Sequence, residues 1–96
     1  MTKYYCLDEN NNPVECDRAT WELDSGLIVE TTAIGRYTVS TVFVGFGHLF
    51  DLFETAIFDD WHKEETKIYM KYSTWESAKA GHEKAIEYVR SELVPF

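Results

Sequence analysis

From residue 27 to residue 72 the chain falls into strand-like runs, two of which alternate their side chains with a period of two, and beyond that it switches to helical spacing. Leu27–Ile34 and residues 37–46 are dense in β-branched and aromatic side chains, and Gly35-Arg36 between them suits a two-residue hairpin loop with glycine first. Residues 50–58 alternate Phe50, Leu52, Glu54, Ala56 and Phe58 with Asp51, Phe53, Thr55 and Ile57. Residues 66–72 set Ile68, Met70 and Tyr72 against Lys67, Tyr69 and Lys71, and the lysines suit a sheet edge. The pattern predicts four antiparallel strands in a meander.

A helix follows. Ser73 or Thr74 is the predicted N-cap, and Ser73 with Glu76 has capping-box spacing. Trp75, Ala78, His82, Ala85, Ile86, Val89 and Leu93 then recur on one helical face, leaving Lys79, Glu83, Glu87 and Arg90 outside. His82 lies within the apolar stripe. Gly81 beside it costs about 1 kcal/mol relative to alanine in a helix interior, which predicts close approach of a strand, and Pro95 ends the element. Ahead of the sheet, short extended pieces at 4–7 and 14–16 flank a turn at 8–13. Asp17 caps a short helix to about residue 24, with Ala19, Trp21 and Leu23 available for burial and Ser25-Gly26 as its stop. The expected fold class is α+β: an antiparallel four-stranded β-meander (27–72) packed by one C-terminal α-helix (73–93), with a short N-terminal hairpin and helix (1–26), in a single domain.

The second predicted strand has apolar groups on both faces, Tyr37, Val39 and Phe43 on one and Val42, Val44 and Phe46 on the other. One helix covers one side of a sheet, so the opposite face is expected to meet the N-terminal section, a ligand or another subunit. The 3 Trp, 6 Tyr and 6 Phe in 96 residues point the same way. A homo-oligomer is expected, with strand pairing or sheet packing as its contact.

Charge narrows the partners. With 17 acidic against 9 basic residues the net charge is -8, which disfavours a phosphate-binding surface and direct nucleic-acid binding but is compatible with mimicry of nucleic acid. No apolar run approaches the roughly 18 residues of a membrane span, so no membrane contact is expected, and the start MTKYYCLDEN has no basic and apolar leader pattern, which suggests a cytoplasmic protein. A hairpin around 10–13 would bring the sulfurs of Cys6 and Cys16 close, but nothing in the sequence signals an oxidising compartment, and their pairing stays open.

Candidate chemistry is sparse. His48, Glu54 and His82 form the sharpest trio, because Glu54 interrupts an apolar strand face and His82 sits on the apolar helix face. If those faces meet, the carboxylate holds the imidazole in one tautomer as in a general-base or metal site; the alternative is a buried polar pair that satisfies itself. His48, His62 and His82 lack the spacing of a zinc motif. Asp8, Asn10 and Asn12 start like a calcium loop, but Pro13 and Ala19 stand where that loop needs glycine and glutamate. No nucleophile motif, phosphate loop or dinucleotide fingerprint is present, so neither catalysis nor a cofactor is expected. Residues 59–65 read as an exposed connection in which Trp61 is a lid over the core or a partner contact.

Three phrases in order, TVSTVFVGFGH, LFETAIF and YSTWESAKAGHEKAIEYV, resemble a family of small proteins encoded by bacteriophages and prophages. The resemblance covers residues 38–90 and is carried by Thr41, Phe43, Gly45, His48, Leu52, Phe53, Glu54, Thr55, Phe58, Tyr72, Thr74, Trp75, Gly81 and His82. Gly47 stands where the family has an aspartate, and the family's glycine- and proline-rich loop before Leu52 is missing, so a loop-borne ligand site, if the family has one there, is not expected to carry over. The family brings a phage setting without an assigned chemistry.

What the resemblance implies is an accessory protein that acts stoichiometrically in the infected bacterium. The leading expectation is a binding protein that counters bacterial immunity by sequestering a small nucleotide-like signal. Tyr37, Phe43 and Trp61 would stack a base, Arg36, Lys67 or Lys71 would meet phosphate, and Thr41, His48, Glu54 and His82 complete the candidate ligand set. The acidic surface opposes a highly charged ligand unless those cations converge. The alternatives are an inhibitor of a host defence effector or nuclease, with acids standing in for phosphates, and a structural or assembly component of the virion.

Overall fold

The computed structural model describes residues 2–24, 26–61 and 64–93, with 24, 49 and 64–69 described by backbone alone. Ser25, His62, Pro95 and the side chain of Lys67, all invoked above, lie outside the described residues. Within them the α+β architecture is as expected. A two-stranded hairpin of β1 (Tyr4–Leu7) and β2 (Pro13–Cys16) leads into α1 (Arg18–Asp24). Then β3 (Leu27–Ile34), β4 (Tyr37–Phe43), β5 (Phe53–Asp59) and β6 (Glu64–Tyr72) form an antiparallel sheet in the order β3-β4-β5-β6, and α2 (Trp75–Tyr88) crosses one face of it.

Local chemistry explains the connections. Ile34 pairs with Tyr37 across Gly35-Arg36, and Gly35 takes φ +59°, the left-handed conformation that a tight hairpin with leading glycine requires. In the first turn the Asp8 carboxylate accepts from the backbone N–H groups of Asn10 (2.8 Å) and Asn12 (2.9 Å). Asp17 caps α1 by accepting from Thr20 N–H at 2.8 Å, and hydrogen bonding from the Thr20 hydroxyl, with that N–H second, holds its carboxyl below the usual range. At α2 the N-cap is Thr74, and its reciprocal partner is Ser77 rather than Glu76: Thr74 accepts from Ser77 N–H at 3.0 Å, and the Ser77 hydroxyl lies 3.3 Å from Thr74 N–H. The cap is displaced one residue from the expected Ser73–Glu76 box, with a hydroxyl supplying the return bond. The last turn, Val89–Leu93, widens to π-type winding.

The predicted long strand at 50–58 is shorter. The chain makes a 3-10 turn at Leu49–Asp51 and enters β5 only at Phe53. Leu52 is fully buried, but it belongs to the connection, where its carbonyl accepts from Val44 N–H at 2.8 Å. The strand face under α2 is therefore Phe53, Thr55, Ile57 and Asp59, and not the Leu52-Glu54-Ala56-Phe58 set.

Two apolar clusters hold α2 on the sheet. Tyr37, Val39 and Ile57 pack with Ala85, Ile86 and Val89 at one end, and Tyr5, Phe43, Leu52 and Phe53 pack with Ala78 at the other. Tyr72 of β6 lies against Gly81, where an added Cβ would fall 2.0–2.3 Å from the tyrosine ring and hydroxyl, so the strand approach expected from Gly81 is present.

The N-terminal section does not cover the second face of the sheet. It extends the molecule lengthways to 47 Å, docking on residues 44–47 through Tyr5 N–H to Gly45 O (2.7 Å), Gly47 N–H to Lys3 O (3.1 Å) and a Tyr4–Phe46 bridge. Trp21 fastens α1 there, donating its indole N–H to Val44 O at 2.9 Å between the rings of Tyr4 and Phe46. Ala19 is exposed and Leu23 is 85% exposed, so Trp21 alone of the three residues offered for burial anchors this helix. Cys6 and Cys16 form a disulfide across β1 and β2 with Cα atoms 6.1 Å apart, which closes the pairing left open by the sequence.

Candidate functional site

Between the two apolar clusters lies a polar layer centred on His82. The side chain is fully buried, and each ring nitrogen has a hydroxyl partner: Thr41 Oγ1 lies 2.7 Å from Nδ1 and Thr32 Oγ1 lies 3.0 Å from Nε2. Thr41 Oγ1 is also 2.6 Å from Thr55 Oγ1, extending the chain of hydroxyls across three strands. A neutral imidazole donates from one nitrogen and accepts at the other, so two hydroxyls satisfy it completely. Burial pushes the imidazole pKa down; Glu30, whose carboxylate is 4.0 Å from Nε2, and Glu83 oppose that shift, while Lys79 adds to it. Thr41 and Thr55 are fully buried. The layer joins helix to sheet directionally, and its inner hydroxyls are closed to a substrate.

The His48–Glu54–His82 trio is not assembled. Glu54 sits opposite Val42 and Lys71 in the ladder, whereas Thr55 faces Thr41 and reaches the imidazole only through the Thr41 hydroxyl. Successive strand residues project to opposite faces, so one residue of parity separates Glu54 from the imidazole. His48 is exposed in the connection before the 3-10 turn. Of the other nominated residues, Thr41 and Phe43 are fully buried in the core.

Arg36, Tyr37 and Trp61 do come together, at the opposite end of the sheet from the N-terminal hairpin. The Arg36 guanidinium stands 5.2 Å from the Tyr37 ring centroid and 4.8 Å from that of Trp61. It also forms an ion pair and hydrogen bond with Asp59, which raises its already high pKa further. Asp59 is 6% exposed and closes β5, with its other oxygen accepting from Trp61 N–H at 3.1 Å. It was expected in an exposed connection. Next to it, Thr38 Oγ1 donates to Asp60 Oδ2 at 2.6 Å, and Asp60 N–H donates to Arg36 O at 2.7 Å. Two hairpin ends are thereby tied together, and Trp61 is left 73% exposed.

Asp59, Thr32, Thr55 and Glu30 were missed as site residues. For Asp59 a signal existed: it sits at the odd positions of Phe53, Thr55 and Ile57, once the strand start is placed correctly. A separate cleft of about 320 Å³ between β6 and α2 is lined by Met70, Tyr72, Ser77, Ala80, Gly81 and Lys84, and it contains none of the nominated residues. No group of three metal-ligating side chains exists among the described residues, and no described helix is long and apolar enough to cross a membrane. Comparison with protein-family models, curated proteins and solved structures finds no match to the chain.

Proposed function

We propose that the protein works stoichiometrically, as a phage-type accessory protein that binds and inhibits a host defence protein. The observation that carries this reading is the Arg36–Tyr37–Trp61 cluster with its 73% exposed indole. Arginine, tyrosine and tryptophan are the residue types that most often dominate protein–protein binding energy, and here they are held in place before any partner arrives. Asp59 and two hairpin backbones provide that hold.

Sequestration of a nucleotide-like signal is the second reading, favoured by the same exposed indole beside a guanidinium. Three features weigh against it. The Asp59 carboxylate already occupies the cation that would meet phosphate, and Thr41, Phe43 and His82 are buried away from any ligand. Lys71 is exposed on the far face of the sheet, paired in register with Glu54, and does not converge with Arg36.

The test is plating of a defence-sensitive phage on hosts that carry single defence systems and express the protein or its Trp61→Ala variant. Restored plating by the wild type, lost on removing the indole, is expected, together with co-purification of a component of the system concerned. Plating restored equally by Trp61→Ala, or a bound nucleotide without a bound protein, overturns the proposal.

A further inference from the structure

The two edges of the sheet are built differently. β6 carries Glu64, Glu65, Lys67 and Lys71 and two register irregularities against β5, features that discourage a further strand. β3 reads LIVETTAI, with one charge, no lysine and no proline, and its only irregularity lies between Ile28 and Glu30. Residues 30–34 are thus a regular, nearly uncharged edge whose outer backbone groups have no strand partner among the described residues.

We propose that two copies of the chain pair antiparallel through this edge about a two-fold axis at Thr32, joining their sheets into one of eight strands. Three observations fit a second copy, and the charge pattern favours it over an unrelated strand. The first is side-chain direction: Glu30, Thr32 and Ile34 pair with Thr41, Val39 and Tyr37 on the helix side, while Thr31 and Ala33 pair with Ser40 and Thr38 on the other. An axis at Thr32 sets Glu30 opposite the partner's Ile34 and Thr31 opposite the partner's Ala33, so every pair shares a face and the only charge never meets its own copy.

The second is charge. A chain of net charge -8 repels itself, and a homotypic contact must form where acids are few or balanced. The edge satisfies the first condition, and beside the axis the Lys79–Glu83 pair on the flank of α2 above it satisfies the second. α2 runs alongside β3 in the same direction, with Ala78 in the cluster of Val29, His82 bonded to Thr32, and Ile86 and Val89 in the cluster of Ile34. Gly81 faces β6 through Tyr72, so the exposed Lys79 and Glu83 lie on the flank toward β3. They stand on either side of His82, the residue level with the axis, so the two-fold turns Lys79 toward the partner's Glu83 and Glu83 toward the partner's Lys79.

The third is the exposed surface beside the edge, where Thr31 and Ala33 are small and uncovered and offer nothing to obstruct a neighbouring strand. A ladder of this length buries less than the roughly 800 Å² per partner of a standard stable interface, so the dimer dissociates on dilution. The inference is independent of the proposed host partner, whose anchor lies at the hairpin end.

Light scattering or sedimentation across low to high micromolar concentration tests it. The apparent mass is expected to rise from the 11.2 kDa of one chain toward twice that value. Thr31→Lys with Ala33→Lys should abolish the rise while leaving the circular dichroism spectrum unchanged. Because those lysines also test the fold, a second variant, Thr31→Cys with Ala33→Cys, should oxidise to a covalent dimer whose peptide map links position 31 of one chain to position 33 of the other. A monomer at every concentration, a dimer that survives the paired lysines, a cross-link in another register, or a monomer that takes up a host strand at this edge each overturns the proposal.

Discussion

The two faces of the sheet are made by the same strands, one residue out of phase, yet they obey different rules. Under α2, Val39, Thr41, Phe43, Phe53, Thr55 and Ile57 are all fully buried; on the other side Thr38, Ser40, Val42, Glu54 and Phe58 are only partly buried, and the small Ala56 alone among them is buried. Polarity does not separate them. The covered face holds two threonines and an imidazole at its centre, while the uncovered face holds valine and phenylalanine among its polar groups. What separates them is whether each group meets a specific partner, since a buried polar atom needs a hydrogen bond and a half-exposed one has water.

That contrast predicts unequal responses to the same kind of change. The largest should come from Phe53→Ala, which removes a fully buried ring packed 5.1 Å from that of Phe43 and should cost about 3–5 kcal/mol in urea unfolding. Phe58→Ala, five residues on and of opposite parity, on the uncovered face, should cost clearly less. Equal losses would abolish the distinction between the faces.

Thr41→Val keeps the volume but strips the hydroxyl from His82 Nδ1 and Thr55, and it should cost about 1–3 kcal/mol. Ser40→Ala, its neighbour on the other face, should be close to neutral in the same assay. A mild effect at Thr41 would mean that the polar layer is no more demanding than the solvated face.

Gly81→Ala sharpens the comparison at the helix itself. The new Cβ overlaps the Tyr72 ring, so a loss of about 1–3 kcal/mol is expected. In a Tyr72→Ala background the same change should instead stabilise the helix by up to about 1 kcal/mol. Additive effects in this double-mutant cycle would rule out the close contact.

The smallest effect is the dependence on pH. Burial lowers the His82 pKa in the folded protein, so the unfolded chain binds its proton first as pH falls. The stabilising contribution is complete above the unfolded value of about 6.5 and is lost below it, down to the folded pKa, by at most about 1.4 kcal/mol per pH unit. Unfolding followed between pH 7.5 and 5.5 should show this slope, and His82→Gln should remove it.

Much of the fold was legible because its signals are local. The period of two, the Gly35-Arg36 turn, the capped start near residue 74 and the stripe from Trp75 to Val89 each depend on residues close together in the chain. The site was less legible. Reading 50–58 as one strand placed Glu54 on the face of the buried Leu52, whereas the 3-10 turn at Leu49–Asp51 takes Leu52 out of the strand and reverses which residues face α2. Arg36, Tyr37 and Trp61 could be nominated as residue types, but the Asp59 carboxylate that organises them looked like part of an acidic connection.

The sequence by itself therefore determined the elements, their order and the inward position of Gly81 and His82, since backbone geometry and periodicity act over a few residues. Only the tertiary structure decided that His82 is completed by Thr32 and Thr41, that Asp59 turns inward to Arg36, that Cys6 joins Cys16, and that the N-terminal hairpin, a separate sheet, docks at the end of the four-stranded sheet instead of covering its second face. Those outcomes depend on strand parity and on contacts between distant residues, as between Thr32 and His82, 50 positions apart. A single step of parity changes every partner on a strand without disturbing the local pattern from which that strand is recognised.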